Sequence, residues 1–98
     1  MGSISVETRF ATHVMRLSYE AQDALRDLLD LGWPTERGQE DAIDPQVILD
    51  GMDAAIKTAE RQRRVIVNRS RNLDVYNLHR LDDLAHTALQ ARTNVIWR

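Results

Sequence analysis

The 98-residue chain contains no cysteine, which excludes disulfide bonds and thiolate metal sites. It also lacks a glycine-rich phosphate loop and any apolar run near the roughly 20 residues that a membrane-spanning helix needs. No signal-peptide core follows the N-terminus. These absences predict a cytoplasmic protein that does not associate with membranes and is stabilised by packing or by oligomerisation.

The residues that are present suit a single globular domain over residues 1–98. Hydrophobic residues make up 43% of the chain and charged residues 29%, a balance typical of folded proteins and too apolar for disordered ones. The charge is uneven, because residues 1–50 carry a net −6 and residues 51–98 a net +4. The two halves can complement each other within one molecule or across a dimer, or the basic half can meet an anionic partner.

The first part of the chain carries a heptad stripe. Its apolar residues follow one another at alternating intervals of four and three: Phe10, Val14, Leu17, Ala21, Ala24, Leu28 and Leu31. This spacing places every member on one helix face and predicts a helix over about 6–31. Ser5 is the expected N-cap and Gly32 the expected C-cap, and Pro34 prevents the helix from continuing.

Two further helices are predicted after a polar loop. Asp44 and Pro45 are typical of a helix start, and the apolar period that follows predicts a helix over about 45–68. A third helix is predicted over about 73–96, with a corner near 68–73 or, alternatively, one kinked helix. The expected fold is therefore an all-α antiparallel bundle of three long helices, which we expect to be dimeric.

One helix face carries a possible metal-ligand row. His79, Asp83 and His86 are spaced i, i+4 and i+7, and two imidazoles with a carboxylate could hold a divalent metal. The same row continues with Gln90 and Thr93, which is typical of a solvated face. No nucleophile with an adjacent base stands out elsewhere. We therefore expect a protein that is not an enzyme and that binds no cofactor.

A basic segment allows an alternative function, that of a small nucleic-acid-binding transcription regulator. Its five arginines could contact phosphates: Arg61, Arg63, Arg64, Arg69 and Arg71. However, Asp74, Asp82 and Asp83 follow where a phosphate backbone would lie, and the whole chain carries a net −2. These carboxylates repel nucleic acid, so the segment is more typical of a soluble helix corner.

Several apolar residues are too many for one bundle to bury. Val65, Ile66 and Val67 point about 100° apart around a helix, so a single intramolecular face cannot cover all three. The proposed contacts with a partner protein or a second copy are Val65, Ile66, Val67, Ile96, Trp97 and Trp33. The alternative is that packing at the bundle ends covers these side chains. Surplus apolar surface predicts a protein–protein contact.

Two segments, "LSYEAQDALRDLLDLGWP" and "VYNLHRLDDLAHTALQARTNVIWR", give the chain a resemblance to the quorum-sensing antiactivator proteins of Gram-negative bacteria. The likeness covers size, helical character and the lack of cysteine, and no motif aligns residue by residue. The resemblance implies a bacterial protein that binds a transcription regulator and masks its functional surface. The expected function is therefore non-enzymatic regulation by covering a surface of a partner protein.

Overall fold

The computed structural model describes residues 2–32, 39–62 and 73–98, and it contradicts the expected all-α bundle. Within these residues the chain forms a four-stranded antiparallel sheet and three helices. In chain order the elements are β1 (Gly2–Glu7), β2 (Thr12–Leu17), α1 (Tyr19–Leu28), β3 (Asp41–Ile43), α2 (Pro45–Gln62), α3 (Leu73–Ala91) and β4 (Val95–Trp97). The fold therefore combines α and β structure.

The strand order in the sheet is β2-β1-β4-β3, so β2 and β3 are the two edge strands. Strands β1 and β2 form a hairpin with a continuous register from Gly2 opposite Leu17 to Glu7 opposite Thr12. The last strand in the sequence, β4, lies between β1 and β3 and pairs antiparallel with both. Residues distant in the sequence thus meet at the centre of the sheet.

The predicted helix over 6–31 is wrong for its first half, where the chain forms strands. Ile4 and Val6 lie in the core, whereas Ser3, Ser5 and Glu7, which alternate with them, belong to the opposite face of the sheet. This period of two is typical of a strand with one buried face. In β2 the heptad members Val14 and Leu17 lie on opposite faces, because side chains of a strand alternate. The heptad spacing in this region was therefore coincidental.

Helix α1 begins and ends at other residues than the sequence predicts. Ser18, not Ser5, is the N-cap, and its side chain accepts a hydrogen bond from the Ala21 amide at 3.1 Å. At the other end Asp30 adopts a left-handed conformation with φ of 55°, and the Leu31 amide donates to the Arg26 carbonyl at 2.9 Å. This pattern is a Schellman motif in which aspartate takes the place that Gly32 was expected to fill.

Helices α2 and α3 begin where the sequence indicates. The Asp44 carboxylate accepts a hydrogen bond from the Gln46 amide at 2.8 Å, and α2 starts at Pro45. The predicted continuation over 63–68 lies outside the described residues. Helix α3 ends at Ala91 instead of residue 96, because Arg92 takes a left-handed conformation with φ of 56° and closes a second Schellman motif.

The consecutive apolar residues of β4 were assigned to the third helix, and this assignment is also wrong. Val95 and Trp97 point into the core, and Ile96 points to the opposite face of the sheet. An interior strand has neighbours on both sides and can bury residues on both faces. A run of adjacent apolar residues is typical of such a strand.

One face of the sheet carries the hydrophobic core. Its strand residues are Ile4, Val6, Met15, Leu17, Val95 and Trp97, and they pack with Leu25 and Leu29 of the α1 region, Ile48, Met52, Ala55 and Ala59 of α2, and Leu78, Leu81, Leu84, Ala85 and Ala88 of α3. Helix α3 lies against β1, β2 and β4, and it also packs on α1 and α2. Within the described ranges, the helices therefore cover one face of the sheet and leave the other uncovered. We call the other face the outer face.

Across the described parts of the chain, none of the helices has both the length and the apolar character that crossing a membrane would require.

Candidate interaction surface

The outer face carries a row of small and apolar side chains that crosses all four strands. The register places Val14, Ser5, Ile96 and Ala42 side by side, one from each strand. Val14 is 48% exposed at the edge of the sheet, whereas Ser5 is only 3% exposed between its neighbours. The sheet therefore presents an apolar strip on the side that the helices leave uncovered.

Arginines flank this strip on one side. Arg16 of β2 lies opposite Ser3 of β1, and Ser3 forms a backbone pair with Arg98 beyond β4. The Arg98 guanidinium forms an exposed ion pair with Glu40 at 2.9 Å. Within the described chain Arg16 forms no ion pair, so its charge is available to an anionic group on another molecule.

These side chains line a shallow groove of about 340 Å³ that is open to solvent. Its lining residues are Gly2, Ser3, Ser5, Thr12, Val14, Arg16 and Arg98. The hydroxyl groups and guanidinium groups can donate hydrogen bonds to a partner. Among the described residues no histidine and no carboxylate lines the groove to activate a hydroxyl as a nucleophile.

The turn of the β1–β2 hairpin presents an aromatic side chain to solvent. Phe10 is 91% exposed, and the Arg9 guanidinium lies 6.0 Å from the centroid of its ring. The Thr8 hydroxyl donates to the Ala11 carbonyl at 3.0 Å and accepts from the amides of Phe10 and Ala11 at 3.3 and 3.1 Å. The Thr8 amide also donates to the Ala11 carbonyl at 2.9 Å. We call residues 8–11 the hairpin tip, and these bonds hold its backbone in one conformation.

A buried ionic cluster fixes β3 and β4 to α1. The Arg26 side chain is 5% exposed, and its Nη2 donates to Asp41 Oδ2 at 2.7 Å. Its Nε donates to the Gly32 carbonyl at 3.1 Å, and its guanidinium lies 5.2 Å from the ring centroid of Trp97. Arg26 thereby connects the end of α1 with both strands, and this cluster has a structural role.

Gln22 of α1 connects the two central strands. Its amide Nε2 donates to the Ser3 carbonyl at 3.1 Å and to the Arg98 carbonyl at 3.0 Å. A β-carbon at Gly2 would lie 2.7 Å from the same Nε2 atom and 2.9 Å from the Arg98 oxygen. A side chain at position 2 would therefore displace the Gln22 amide and press against the Arg98 backbone, so glycine suits this position at the end of the sheet beside the groove.

The structure separates the residues predicted as partner contacts. Trp97 is 2% exposed and lies in the core, so the folded single chain offers no surface of this side chain to a partner. Its Nε1 is buried, and no acceptor among the described residues lies within hydrogen-bond distance. Ile96 lies partly buried in the outer-face strip. Trp33, Val65, Ile66 and Val67 lie outside the described residues, and their role stays a prediction.

Of the arginines predicted to contact nucleic acid, only one is described. Arg61 is exposed in the last turn of α2. Arg63, Arg64, Arg69 and Arg71 lie outside the described residues. Nucleic-acid binding by this segment therefore stays a prediction.

The histidine row of α3 faces solvent. His79, Asp83 and His86 are all exposed, and His86 Nε2 lies 3.6 Å from Asp82 Oδ2 one turn earlier. In the part of the chain that the structure describes, no three histidine or acidic residues lie close enough to hold a metal ion.

Sequence reasoning missed the residues that shape this surface. Phe10 was assigned to the heptad stripe of a helix, and Gln22 and Arg26 were assigned no role. The alternation of Ile4 and Val6 with serines is a signal for β1, and it predicts the hairpin when it is combined with the polar turn near Thr8. No local pattern indicates that Arg26 meets Asp41, because the two are brought together only by the fold.

The geometry of the site is the basis for assigning a function, because comparison with family models, with curated proteins and with solved structures finds no match to this chain.

Proposed function

We propose that this chain is a non-enzymatic interaction domain that inserts the hairpin tip into an apolar pocket of a partner protein and covers that surface. The observation that carries the proposal is the 91% exposure of Phe10 on a turn that Thr8 holds in place. Large exposed aromatic side chains are costly to leave in water and are frequent anchors of protein–protein contacts. A preformed turn loses little conformational entropy when it binds.

The charges around the tip indicate the partner's chemistry. Arg9 lies beside the Phe10 ring and Arg16 lies further along the same hairpin, and neither side chain forms an ion pair in the described chain. An apolar pocket with carboxylates at its rim would complement this arrangement. A transcription regulator, the class of partner that the resemblance in sequence implies, is the first candidate to examine.

Substitution of Phe10 tests this proposal. Burying a phenylalanine contributes about 1.5–3 kcal/mol, so a Phe10→Ser variant should bind its partner about 10-fold to 150-fold more weakly. Tagged wild-type protein and the variant would be used to capture proteins from cells of the source organism, and the captured proteins compared by quantitative mass spectrometry. The affinity for a protein captured by the wild type would then be measured by calorimetry.

Val47→Ser is the matched control, because Val47 is also a surface apolar residue, 51% exposed, but lies on α2. The proposal predicts that the control keeps the captured partner and that Phe10→Ser loses it. Equal capture by both variants, with both shown to be folded by circular dichroism, would refute the role of the hairpin tip.

A further inference from the structure

A second surface of the hairpin is independent of the tip, namely the free edge of β2. Ser3 forms backbone hydrogen bonds in both directions with Arg98, at 3.1 and 2.8 Å, so its amide and carbonyl point toward β4. In an antiparallel sheet these directions alternate along a strand. The residues of β2 opposite Ser3, Ser5 and Glu7 therefore point their backbone groups away from β1. These residues are Arg16, Val14 and Thr12.

This edge lacks two of the usual protections against pairing, a bulge and a proline. The register of β2 with β1 is continuous over six residues without a bulge, and the strand contains no proline. Thr12, Val14 and Arg16 are exposed, and among the described residues no strand pairs with this side of β2. A six-residue edge with free backbone groups is a template for another strand.

We propose that a second copy of this chain occupies the edge, with the two β2 strands antiparallel about a two-fold axis at Val14. In this register Val14 lies opposite Val14 of the second copy, and Thr12 of each copy lies opposite Arg16 of the other copy. All the free backbone groups of the edge are then paired, in about six hydrogen bonds. The two sheets become one sheet of eight strands.

The side chains of the outer face favour this occupant and this register. The row of Val14, Ser5, Ile96 and Ala42 would continue into the same row of the second copy, which joins the two apolar strips. Burying the exposed Val14 side chains against each other is favourable. A register shifted toward the end of β2 would place the two Arg16 side chains opposite each other, and the like charges would repel.

Charge complementarity supports the same arrangement. Glu7 lies opposite Thr12 on the outer face, and Thr12 would lie opposite Arg16 of the second copy. The Glu7 and Arg16 backbones would then be two strands apart, about 10 Å, which the two side chains can span over the short threonine. Neither Glu7 nor Arg16 forms an ion pair within the described chain. In the dimer Glu7 of each copy would pair with Arg16 of the other copy, which makes two ion pairs related by the two-fold axis.

The dimer does not depend on the proposed role of Phe10. The paired residues are 12–16, and the hairpin tip lies beyond them. The two-fold axis places the two tips at opposite ends of the seam, roughly 25–30 Å apart from the rise of an antiparallel strand.

Sedimentation of the full chain and of two variants at Val14 tests the proposal. Val14→Pro removes an amide that points to the free edge and leaves the β1–β2 ladder intact, so it should weaken the dimer at least ~10-fold while the fold is retained. Val14→Thr keeps the amide and the branched side chain and should remain dimeric. Circular dichroism and thermal melting show whether each variant is folded.

Cross-linking tests the register, because the natural chain has no cysteine. In the Val14→Cys variant the two thiols would face each other across a pair whose Cα atoms lie about 5.5 Å apart, within the range of a disulfide. In the Thr12→Cys variant the two Cα atoms would be about 14 Å apart, which is too far. Mild oxidation should therefore link the first variant and leave the second unlinked.

A charge exchange tests the predicted ion pairs. Glu7→Arg should weaken the dimer several-fold, and combining it with Arg16→Glu should restore the wild-type dissociation constant. A monomer at all concentrations up to about 200 μM, a Val14→Pro variant that dimerises as the wild type does, or equal cross-linking of the two cysteine variants would each overturn the proposal.

Discussion

The ion pair between Arg26 and Asp41 leads to a prediction about stability that differs between the two partners. The Arg26 side chain is 5% exposed and the Asp41 side chain is 32% exposed. Removing the carboxylate takes away the anion that lies 2.7 Å from a buried guanidinium, whereas removing the guanidinium leaves a carboxylate that water can reach. We therefore expect Asp41→Ala to lower the free energy of unfolding more than Arg26→Met does.

The magnitudes follow from burial. Breaking a buried ion pair typically costs about 3–5 kcal/mol, and the partial exposure of Asp41 reduces the expected cost of Asp41→Ala to about 2–3 kcal/mol. Arg26→Met keeps an apolar side chain near Trp97 but removes the donor to the Gly32 carbonyl, so we expect about 1–2 kcal/mol. The double variant should cost about as much as Arg26→Met alone, because Asp41 has then already lost its partner.

Equilibrium unfolding in urea measures all four proteins of this cycle, with the midpoint and the slope fitted separately. At about 4–8 °C for each kcal/mol, Asp41→Ala should lower the Tm by roughly 8–24 °C. An Asp41→Ala variant that is as stable as Arg26→Met, or a double variant whose cost is the sum of the two single costs, would show that the carboxylate is not the counterion that stabilises buried Arg26.

Three further predictions concern smaller parts of the fold. Gln22→Glu should destabilise the protein by about 1–3 kcal/mol, measured by urea unfolding, because a carboxylate cannot donate to the two strand-end carbonyls that Gln22 bonds; a wild-type stability would contradict this role. Arg92→Gly should raise the stability by up to about 1 kcal/mol in the same assay, because φ is 56° there, and Arg92→Ala should give no such gain. Thr8→Val should cost about 1 kcal/mol and speed amide hydrogen exchange at Phe10, and unchanged exchange would show that the turn does not depend on the hydroxyl.

The sequence predicted the starts of two helices correctly, because local chemistry determines these positions. Asp44 followed by Pro45 satisfies a free amide and presets the first helical turn, whatever the remainder of the chain does. Helix α3 begins at Leu73, where the pattern predicted a third helix. Helix ends were predicted less well, since Asp30 and Arg92 adopt conformations for which glycine is the usual residue.

The strands β1 and β2 were missed because the first 17 residues contain both a helical and an alternating apolar spacing. Phe10, Val14 and Leu17 fit a helical spacing, whereas Ile4 and Val6 fit the alternating spacing of a strand. In so short a segment the apolar period alone does not decide between helix and strand. Strand β4 is harder still to predict. Three adjacent apolar residues suit a helix or an interior strand equally, and its two neighbours in the sheet come from distant parts of the chain.

The sequence by itself determined that the chain lacks disulfides, that it has enough apolar residues for one core, and where α2 and α3 begin. These properties depend on composition or on contacts within a few residues. Only the tertiary structure decided that β4 lies between β1 and β3, that Trp97 is buried against Arg26, and that no described element covers the outer face or pairs with the free side of β2. Strand pairing joins residues far apart in the sequence, and its energy depends on which partner is present, so no local pattern encodes it.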